Sequence, residues 1–435
     1  MTMKFNERVP FSAVFSLRRG LNITRANYQE NGVPCLSYGD VHSRYLGFVD
    51  AAVHPLPKVS TDYLDSAPQC LLKAGEFVFA DTSEDYEGAG NCTCVLNESD
   101  GLFAGYHTTV ASPVRKEICS RYYGYYFLSE DFRNQICKAV SGIKVFSITN
   151  SILNATRILF PDFKTQENIA NFLEKKLHYI DTLIKLKYEE LEKLSEYRQS
   201  LITQAVTKGL NSNVEMKDSG LNWLGSIPKD WRISTIGKVM DVTLGKMLEN
   251  KKADDSYTLE RYLCAGSIDW GGVKQDYFKH MWFSPAEKNA LLLKPDDCLI
   301  VEGGAGFGTV ALYKGENYPC YFQNSIIRLR EHGKVLSRFA KYWLHITYDS
   351  YLDTVCNKAT FSHYTKEKVS ATPILIPPLN EQEEIVDYLD KRVEAIDAVS
   401  KKLENIIDKL TEYRSSLINA AVTGKLNIEE VTHGE

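Results

Sequence analysis

A long segment that occurs twice is the strongest constraint on this chain of 435 residues. Residues 161–211 align without a gap to residues 377–427, and the alignment carries Gln166 onto Gln382 and Arg198 onto Arg414. Self-similarity over such a length is typical of a duplicated structural unit. We therefore predict two variable blocks, residues 1–160 and 212–376, each followed by a constant block, residues 161–211 and 377–430.

The constant blocks have the pattern of long helices. Neither contains proline or glycine between Gln166 and Thr207 or between Gln382 and Thr423, and apolar residues recur at steps of three, four and multiples of seven. Each helix would be about 60 Å long at ~1.5 Å per residue, too long to bury its apolar seam alone. The seam residues are Leu177, Ile180, Ile184, Leu191, Leu194, Leu201 and Ala205 in the first block and Val393, Ile396, Leu403, Ile407, Leu410, Leu417 and Ala421 in the second.

We expect these two helices to pair side by side as a coiled coil. Antiparallel pairing would relate the two variable blocks by an approximate two-fold axis. The alternative is that the helices stay apart and each packs on its own block. Polar residues interrupt both seams, and such residues commonly fix the register and the partner of a coiled coil; they are Lys187, Arg198, Ser400 and Arg414.

The variable blocks have the pattern of mixed α/β domains. Short segments rich in β-branched and aromatic residues predict strands, and two longer stretches, residues 115–140 and 334–353, have helical spacing. The predicted strands are Glu76–Ala80, Cys298–Glu302, Thr309–Tyr313 and Ser325–Leu329. The predicted fold is therefore α+β, with two mixed α/β domains separated by two long helices that form an antiparallel coiled coil, and with a pseudo-two-fold internal repeat.

Composition limits where this chain acts. The formal net charge is −5, so bulk charge attracts it neither to nucleic acid nor to an anionic membrane, and any DNA binding must come from local patches. No apolar stretch approaches the ~20 residues that span a bilayer. We expect a cytoplasmic protein whose ten cysteines are reduced and mostly buried. Cys92-Thr93-Cys94 alone is weak evidence for zinc, and we predict no metal site.

No catalytic motif is found in the sequence. The glycine-rich run Gly303–Gly308 does not fit a Gly-x-Gly-x-x-Gly register and is predicted to be a β-hairpin. A phosphate loop, an Asn/Asp-Pro-Pro-Tyr/Phe motif of amino-methyltransferases and a nuclease carboxylate motif are all missing. We therefore predict a non-catalytic protein that binds and organises.

Candidate DNA contacts follow from residue type and local charge. Cations that could meet phosphates are Arg18, Arg19, Arg25, Lys246, Lys251, Lys252, Lys274 and Lys279. Loop residues that could read base edges are His107, Gln323, Asn324, Asn357, Lys358 and His363. A solvated surface or an ordinary loop hydrogen bond is the competing explanation for each. The acidic residues Asp81, Glu84, Asp85 and Glu87 are expected to face away from the DNA backbone.

The combination of motifs resembles the specificity subunits of type I restriction–modification systems. The resemblance rests on the duplicated blocks, on the ending Tyr-Arg-x-Ser-Leu-Ile-x-x-Ala-Val-Thr with Gly424-Lys425-Leu426, and on the segment Trp223-Leu-Gly-Ser-Ile-Pro-Lys-Asp-Trp231. It covers almost the whole chain. It implies two target recognition domains that each read one half of a split, asymmetric DNA sequence, with the helices setting the gap.

The resemblance also implies partners. These are double-stranded DNA, two methyltransferase subunits and ATP-driven restriction subunits, with the seam residues of the constant helices pairing with each other and docking the methyltransferases. S-adenosylmethionine, ATP and Mg²⁺ would be bound by those partners, and no cofactor is expected in this chain. The alternative function is a coiled-coil scaffold with two ligand-binding heads that do not bind DNA.

Overall fold

A computed structural model describes residues 7–140, 145–274, 276–304, 306–315, 318–352 and 363–428. The chain divides into two compact units, unit 1 (Met1–Tyr188 and Glu404–Glu435) and unit 2 (Glu189–Leu403). Each unit holds one variable block together with part of each constant block. The division falls inside the constant blocks because their residues pack against the variable blocks as well as against each other.

Unit 1 is built on a five-stranded sheet. The strands of the first variable block are β1 (Arg8–Pro10), β2 (Phe15–Arg19), β3 (Val33–Leu36), β4 (Gly47–Asp50), β5 (Lys58–Val59), β6 (Phe77–Ala80), β7 (Thr82–Ser83), β8 (Cys92–Asn97), β9 (Phe103–Ala104), β10 (Thr108–Pro113), β11 (Phe146–Ser147) and β12 (Arg157–Leu159). The helices are α1 (Tyr63–Ser66), α2 (Ser120–Leu128), α3 (Glu130–Ala139) and α4 (Asn150–Ala155). The sheet order is β2-β10-β6-β8-β4, with β6 at its centre.

Aromatic side chains fill the core of unit 1. Phe15, Phe77 and Phe127 are buried with ring centroids 5.0–5.6 Å apart and edge-on contacts, a favourable geometry for aromatic pairs. The stretch of helical spacing at 115–140 forms two helices instead of one. Ser129 adopts an extended backbone between them, and its hydroxyl accepts a hydrogen bond from the Phe132 N–H at the start of α3, as an N-cap does.

A long helix, α5 (Phe163–Lys208), follows and leads into unit 2. The strands of unit 2 are β13 (Met216–Asp218), β14 (Ser226–Pro228), β15 (Arg232–Thr235), β16 (Met240–Leu244), β17 (Thr258–Leu263), β18 (Ile268–Asp269), β19 (Gly272–Val273), β20 (Lys279–Phe283), β21 (Cys298–Val301), β22 (Val310–Leu312), β23 (Tyr321–Phe322), β24 (Ile326–Glu331) and β25 (Pro373–Ile376). The helices are α6 (Ile236–Val239), α7 (Pro285–Leu291), α8 (Ser337–Ser350) and α9 (Lys366–Ala371), and the second long helix is α10 (Leu379–Val422).

The main sheet of unit 2 has the order β16-β24-β21-β22. Strands β21 and β22 pair antiparallel around the glycine-rich run, so the predicted β-hairpin is confirmed. The linker before this domain packs against it. Trp231 is buried and its indole N–H donates to Glu381 at 2.9 Å, while Trp223 lies against Trp343.

The two long helices pair antiparallel. In unit 1, Arg414 of α10 binds Asp181 of α5 with 2.7 Å between nitrogen and oxygen. In unit 2, Arg198 of α5 binds Asp397 of α10 at 3.1 Å. Within unit 2, Gly209, which directly follows α5, lies against Glu381 near the start of α10, whereas Arg198 pairs with Asp397, so the helices run antiparallel there. Each arginine of the two ion pairs comes from one copy of the repeat and each aspartate from the other. The interrupting arginines of the seam therefore connect the helices.

Two buried glutamines reproduce the repeat in atomic detail. Gln166 donates to the carbonyls of Pro161 and Glu117 and accepts from the N–H of Cys119. Gln382 donates to the carbonyls of Pro377 and Lys334 and accepts from the N–H of Leu336. Each side chain is fully buried. The same amide thus ties each long helix to the block before it.

His345 adds a third group to the ion pair in unit 2. Its Nε2 lies 3.1 Å from a guanidinium nitrogen of Arg198. Burial, helped by the charges of Arg198 and Lys341, lowers the pKa of His345 to about 4. The imidazole is therefore neutral at pH 7 and accepts the hydrogen bond from Arg198.

No helix in the described part of the chain is both long and apolar enough to cross a membrane. Over the same residues, no group of three or more His, Cys, Asp or Glu side chains is placed to hold a metal ion. Cys92 and Cys94 are free thiols buried in the sheet, where burial raises the pKa of each thiol well above its usual value.

Candidate nucleic-acid interface

In unit 1, predicted contact residues meet where strand β2 ends and strand β10 begins. Arg19 is exposed and lies opposite Thr109 in the β2–β10 ladder. His107 occupies the turn just before β10, and its side chain is 59% exposed. Arg25 is exposed nearby, with its Nε donating to the hydroxyl of Tyr106 at 2.9 Å. This edge therefore presents two cations and an imidazole together.

Arg18 has an internal role. Its guanidinium donates to both carboxylate oxygens of Glu76 at 2.6 and 2.7 Å and to the carbonyls of Gln69 and Leu71. Burial alone would raise the pKa of Glu76, but the hydrogen bonds from Arg18, Ser112 and the Lys73 N–H outweigh it and hold that pKa below its usual value. With its donors directed inward, Arg18 is poorly placed to reach a phosphate.

A cavity of about 440 Å³ opens beside the exposed arginines of unit 1. Arg25 and Arg44 line it together with the rings of Tyr28 and Tyr106 and the carboxylate of Asp40. Burial raises the pKa of Asp40. The pocket combines guanidinium and aromatic groups, which are the groups that meet phosphates and bases in nucleic-acid complexes. Arg44 was missed by the sequence reasoning because it stands alone in an irregular segment.

In unit 2, three of the predicted base readers lie along one edge of the main sheet. Gln323 and Asn324 form the turn between β23 and β24 and are half-buried. The N–H of Glu302, which follows β21, donates to the carbonyl of Ser325 in the same turn. His363 is exposed on the other side of Glu302, with its Nδ1 3.6 Å from that carboxylate. Asn357 and Lys358 lie outside the described residues.

The predicted lysines of unit 2 divide into one internal and four exposed residues. The ammonium of Lys246 lies 2.6 Å from carboxylate oxygens of both Glu249 and Glu287, and its side chain is only 8% exposed. Those two acids neutralise it, so it is poorly placed for DNA. The exposed lysines are Lys251, Lys252, Lys274 and Lys279.

The pairing of strands β17 and β20 adds two residues, Arg261 and His280, that the sequence reasoning missed. Arg261 on β17 lies opposite His280 on β20, next to Lys279 in sequence, and all three residues are exposed. The guanidinium of Arg261 stacks 4.8 Å from the ring centre of Phe278. Alternation along a strand indicates which residues share a face. It does not indicate which residue of another strand lies opposite Arg261, so the pairing with His280 could not be predicted.

The predicted seam residues are buried or half-buried between the long helices and the blocks. Leu177 and Ile180 belong to the same apolar cluster as Leu417 and Ala421 in unit 1. The helix-pairing prediction is confirmed for these residues. Because their surfaces are used within the chain, they have little area left to dock a partner.

Other apolar residues of the long helices remain exposed. In unit 1 these include Leu183 on α5 (45% exposed) and Tyr413 on α10 (57%). In unit 2 they include Tyr197 on α5 (52%) and Val399 on α10 (46%). Leu183 and Val399 occupy the same position of the repeat, as do Tyr197 and Tyr413. Each unit therefore exposes one member of the Leu183/Val399 pair and one member of the Tyr197/Tyr413 pair. In each unit the two exposed residues lie on different long helices.

Comparison with known proteins defines the class. The family model "Type I restriction modification DNA specificity domain" matches residues 7–193 and again residues 228–408. Those two matches take in most of the chain, one for each copy of the repeat. The chain belongs to this family, with two specificity domains in one polypeptide.

Particular relatives agree with that assignment. The StySPI specificity subunit of Salmonella potsdam, a type I restriction enzyme subunit, is 23% identical over 347 residues, covering 76% of this chain and 70% of the relative. A putative type I restriction enzyme MjaX specificity subunit of Methanocaldococcus jannaschii is 22% identical over 82% of this chain and 80% of its own length. A solved structure from work on complex assembly and conformational transition of the type I R-M system covers 97% of this chain and 98% of its own chain with a TM-score of 0.70 at 18% identity, so the two share a fold.

Proposed function

We propose that this protein is the DNA sequence-recognition subunit of a type I restriction–modification complex. Unit 1 reads one half of a bipartite, asymmetric site and unit 2 reads the other half. The observation that carries the proposal is the double match to the DNA specificity domain on a chain whose variable blocks have diverged much further than its helical blocks. Two different DNA-reading domains on a duplicated helical framework are suited to an asymmetric DNA sequence.

The exposed cations and polar side chains at the sheet edges support binding to DNA. In unit 1 they are Arg19, Arg25 and His107, and in unit 2 they are Lys279, Arg261 and His363. Cations position a protein on phosphates, and polar side chains in the grooves carry the sequence reading. Since the whole chain is acidic overall, this local concentration of basic groups is the electrostatic basis of the proposal.

The chemistry belongs to partners in this proposal. Methyltransferase subunits bring S-adenosylmethionine and extrude the target adenine from the duplex, while restriction subunits use ATP and Mg²⁺. This chain holds the complex on its site. The related structure from work on assembly of the type I R-M system has the same fold, which supports a role within an assembly.

A salt titration tests the DNA-binding part of the proposal. In the complex with a methyltransferase subunit, affinity for a duplex bearing the recognition site should fall steeply with salt, because cations displace counterions from phosphates. Arg19→Met and Arg25→Met should each weaken binding and reduce the salt slope by about one. Lys164→Met, an exposed lysine at the start of α5, is the matched control and should leave the slope unchanged. Absence of binding to this duplex would favour the scaffold alternative, whose heads do not bind DNA.

Two equivalent exposed surfaces on the long helices fit the docking of two methyltransferase subunits. We assign one surface to Leu183 and Tyr413 in unit 1 and the other to Val399 and Tyr197 in unit 2. Exposed aromatic and aliphatic side chains of this kind are the usual anchors of protein interfaces. The duplication supplies the same anchor pair twice, which matches two copies of one partner.

Introduction of positive charge at one surface should remove one methyltransferase subunit. Leu183→Lys with Tyr413→Lys is expected to change the assembly from two methyltransferase subunits per chain to one, and Val399→Lys with Tyr197→Lys should do the same. Mass measurement of the purified complex by light scattering gives the stoichiometry. Glu412→Lys, an exposed neighbour of Tyr413, controls for charge alone. Retention of both subunits in both double variants would rule these surfaces out.

A further inference from the structure

The central strand of each main sheet ends in an acidic residue that faces an exposed histidine. In unit 1, Asp81 follows β6, and its carboxylate lies 3.1 Å from Nδ1 of His107. In unit 2, Glu302 follows β21, and its carboxylate lies 3.6 Å from Nδ1 of His363. The two imidazole side chains are 59% and 52% exposed. Both variable blocks, which are called the heads from here on, therefore place a histidine–carboxylate pair at the same point of the fold.

The acidic residues occupy equivalent positions by their backbone contacts. The Asp81 N–H donates to the carbonyl of His107 in the turn before β10, and its own carbonyl accepts from Ile148. The Glu302 N–H donates to the carbonyl of Ser325 in the turn before β24, and its carbonyl accepts from Tyr364. Since backbone bonds already connect these segments, the carboxylates are not needed to hold them together.

The histidines reach the acids from different elements. His107 comes from the turn on one side of Asp81, whereas His363 comes from the segment on the other side of Glu302. The pairs were therefore not copied residue by residue in the duplication. The two heads have diverged, yet each places a histidine from a different element beside the equivalent acid. This recurrence indicates that the pair has the same use in both heads.

The backbone at His107 is a second, independent observation. Its φ is +52°, a left-handed conformation that is uncommon outside glycine, although histidine, asparagine and aspartate adopt it more often than other residues do. Glycine would fit this turn with less strain. Strained residues cluster at binding and catalytic sites because the surrounding structure holds them there. The turn thus accepts strain at the position that presents the imidazole.

A carboxylate beside Nδ1 fixes what the ring can offer. An ionised carboxylate only accepts hydrogen bonds, so Nδ1 of His107 carries the proton. In His107, Nε2 is then the ring nitrogen that can meet a base edge, and its orientation is set by the acid, as carboxylates orient histidines in other sites. A ring held in one orientation can form a hydrogen bond to one base pair.

The geometry points to Asp81 and Glu302 as positioning residues for base reading, each aiming one histidine at one base pair of the half-site that its head contacts. This inference rests on the proposed reading of DNA by the two heads. It places in the site two acidic residues whose negative charge would otherwise argue against contact with DNA. It also predicts that the two pairs act independently, one for each half-site.

Substitution of Gly303 provides a way to displace His363 without changing Glu302. A Cβ built on Gly303 would lie 2.6 Å from Nδ1 and 2.8 Å from Cε1 of His363. Those atoms belong to a side chain, so Gly303→Ala should displace the imidazole. Glu302 keeps its charge in this variant, which separates the aim of the ring from the charge of the acid.

The test uses the full complex with methyltransferase subunits and determines the methylated sequence for each variant. Asp81→Asn should relax discrimination at one base pair of one half-site on the order of tenfold, and Glu302→Gln and Gly303→Ala should do so at one base pair of the other. Asp81→Glu should restore discrimination. Glu87→Gln and Asp276→Asn, which remove exposed charges from the same heads, should leave the recognised sequence unchanged.

The outcomes separate the inference from the function beneath it. If the unmodified complex methylates one bipartite sequence and the Asp81→Asn, Glu302→Gln and Gly303→Ala variants, folded by circular dichroism, methylate it with unchanged discrimination, the positioning role is wrong and the DNA-reading function stands. If the unmodified complex shows no sequence preference, the proposed function itself fails. Relaxation in both half-sites from one variant would also overturn the inference.

Discussion

Replacement of Gln382 by alanine is expected to lower the free energy of unfolding of unit 2 by about 4 kcal/mol. The side chain satisfies the Leu336 N–H and the carbonyls of Lys334 and Pro377 at 2.8–3.1 Å. Its loss leaves three buried backbone groups without their partner, and each such group costs about 1–3 kcal/mol. The helix α10 would also lose its connection to the start of α8.

The distribution of tryptophan makes this measurement specific. All five tryptophans of the chain, Trp223, Trp231, Trp270, Trp282 and Trp343, belong to unit 2. Urea unfolding followed by tryptophan fluorescence therefore reports on the unit that contains Gln382. Gln204→Ala, an exposed glutamine on α5, is the matched control and should change stability by less than about 0.5 kcal/mol. A loss below about 1 kcal/mol for Gln382→Ala would mean that the buried amide is not needed.

Replacement of Arg18 by methionine is expected to destabilise unit 1 by about 3 kcal/mol. The change leaves Glu76, which is 7% exposed, without its guanidinium partner, and an uncompensated buried charge costs more than the ion pair contributes. Combining it with Glu76→Gln should recover part of the loss, because the double variant removes the stranded charge. The measurement is urea unfolding followed by circular dichroism, since the tryptophans do not report on this unit.

Arg19 is the matched control for Arg18. It is the next residue on the same strand and is exposed, so Arg19→Met should leave stability within about 0.5 kcal/mol and weaken DNA binding. Equal stability of the Arg18 and Arg19 variants would contradict the internal role of Arg18.

The helices were predictable from sequence because their pattern is long and their physical requirement is simple. A seam that recurs from Leu177 to Ala205 and again from Val393 to Ala421 has to be buried, and two copies of it can bury each other. The predicted antiparallel direction is confirmed within unit 2, where Gly209 lies against Glu381 and Arg198 binds Asp397.

The individual contact residues were less predictable because residue type does not reveal partners. Arg18 and Arg19 are both arginines and are adjacent in sequence, yet side chains alternate along a strand, and Arg18 meets Glu76, which directly precedes β6. Lys246 is neutralised by Glu249, three residues away, and by Glu287, which is far away in sequence. In the sequence, Gln166 and Gln382 have the pattern of exposed polar residues on a helix. Their burial depends on how the variable blocks pack over them.

Base reading could not be predicted for the same reason. The pairing of His107 with Asp81 requires a turn and a strand end to meet, and no spacing in the sequence encodes that meeting. The acidic segment that begins at Asp81 was expected to face away from DNA, yet Asp81 contacts a candidate reader. Long-range pairing decides such contacts, and local pattern reports only on neighbours.

Exchange of one head tests the central claim most directly. Residues 1–150 are replaced by the corresponding residues of a relative with a different target, the chimera is expressed with its methyltransferase, and the methylated bases of the genome are sequenced. Separate reading by the two heads predicts that one half of the methylated sequence changes while the other half and the gap between them are retained. A change of both halves together, or of neither, would contradict it.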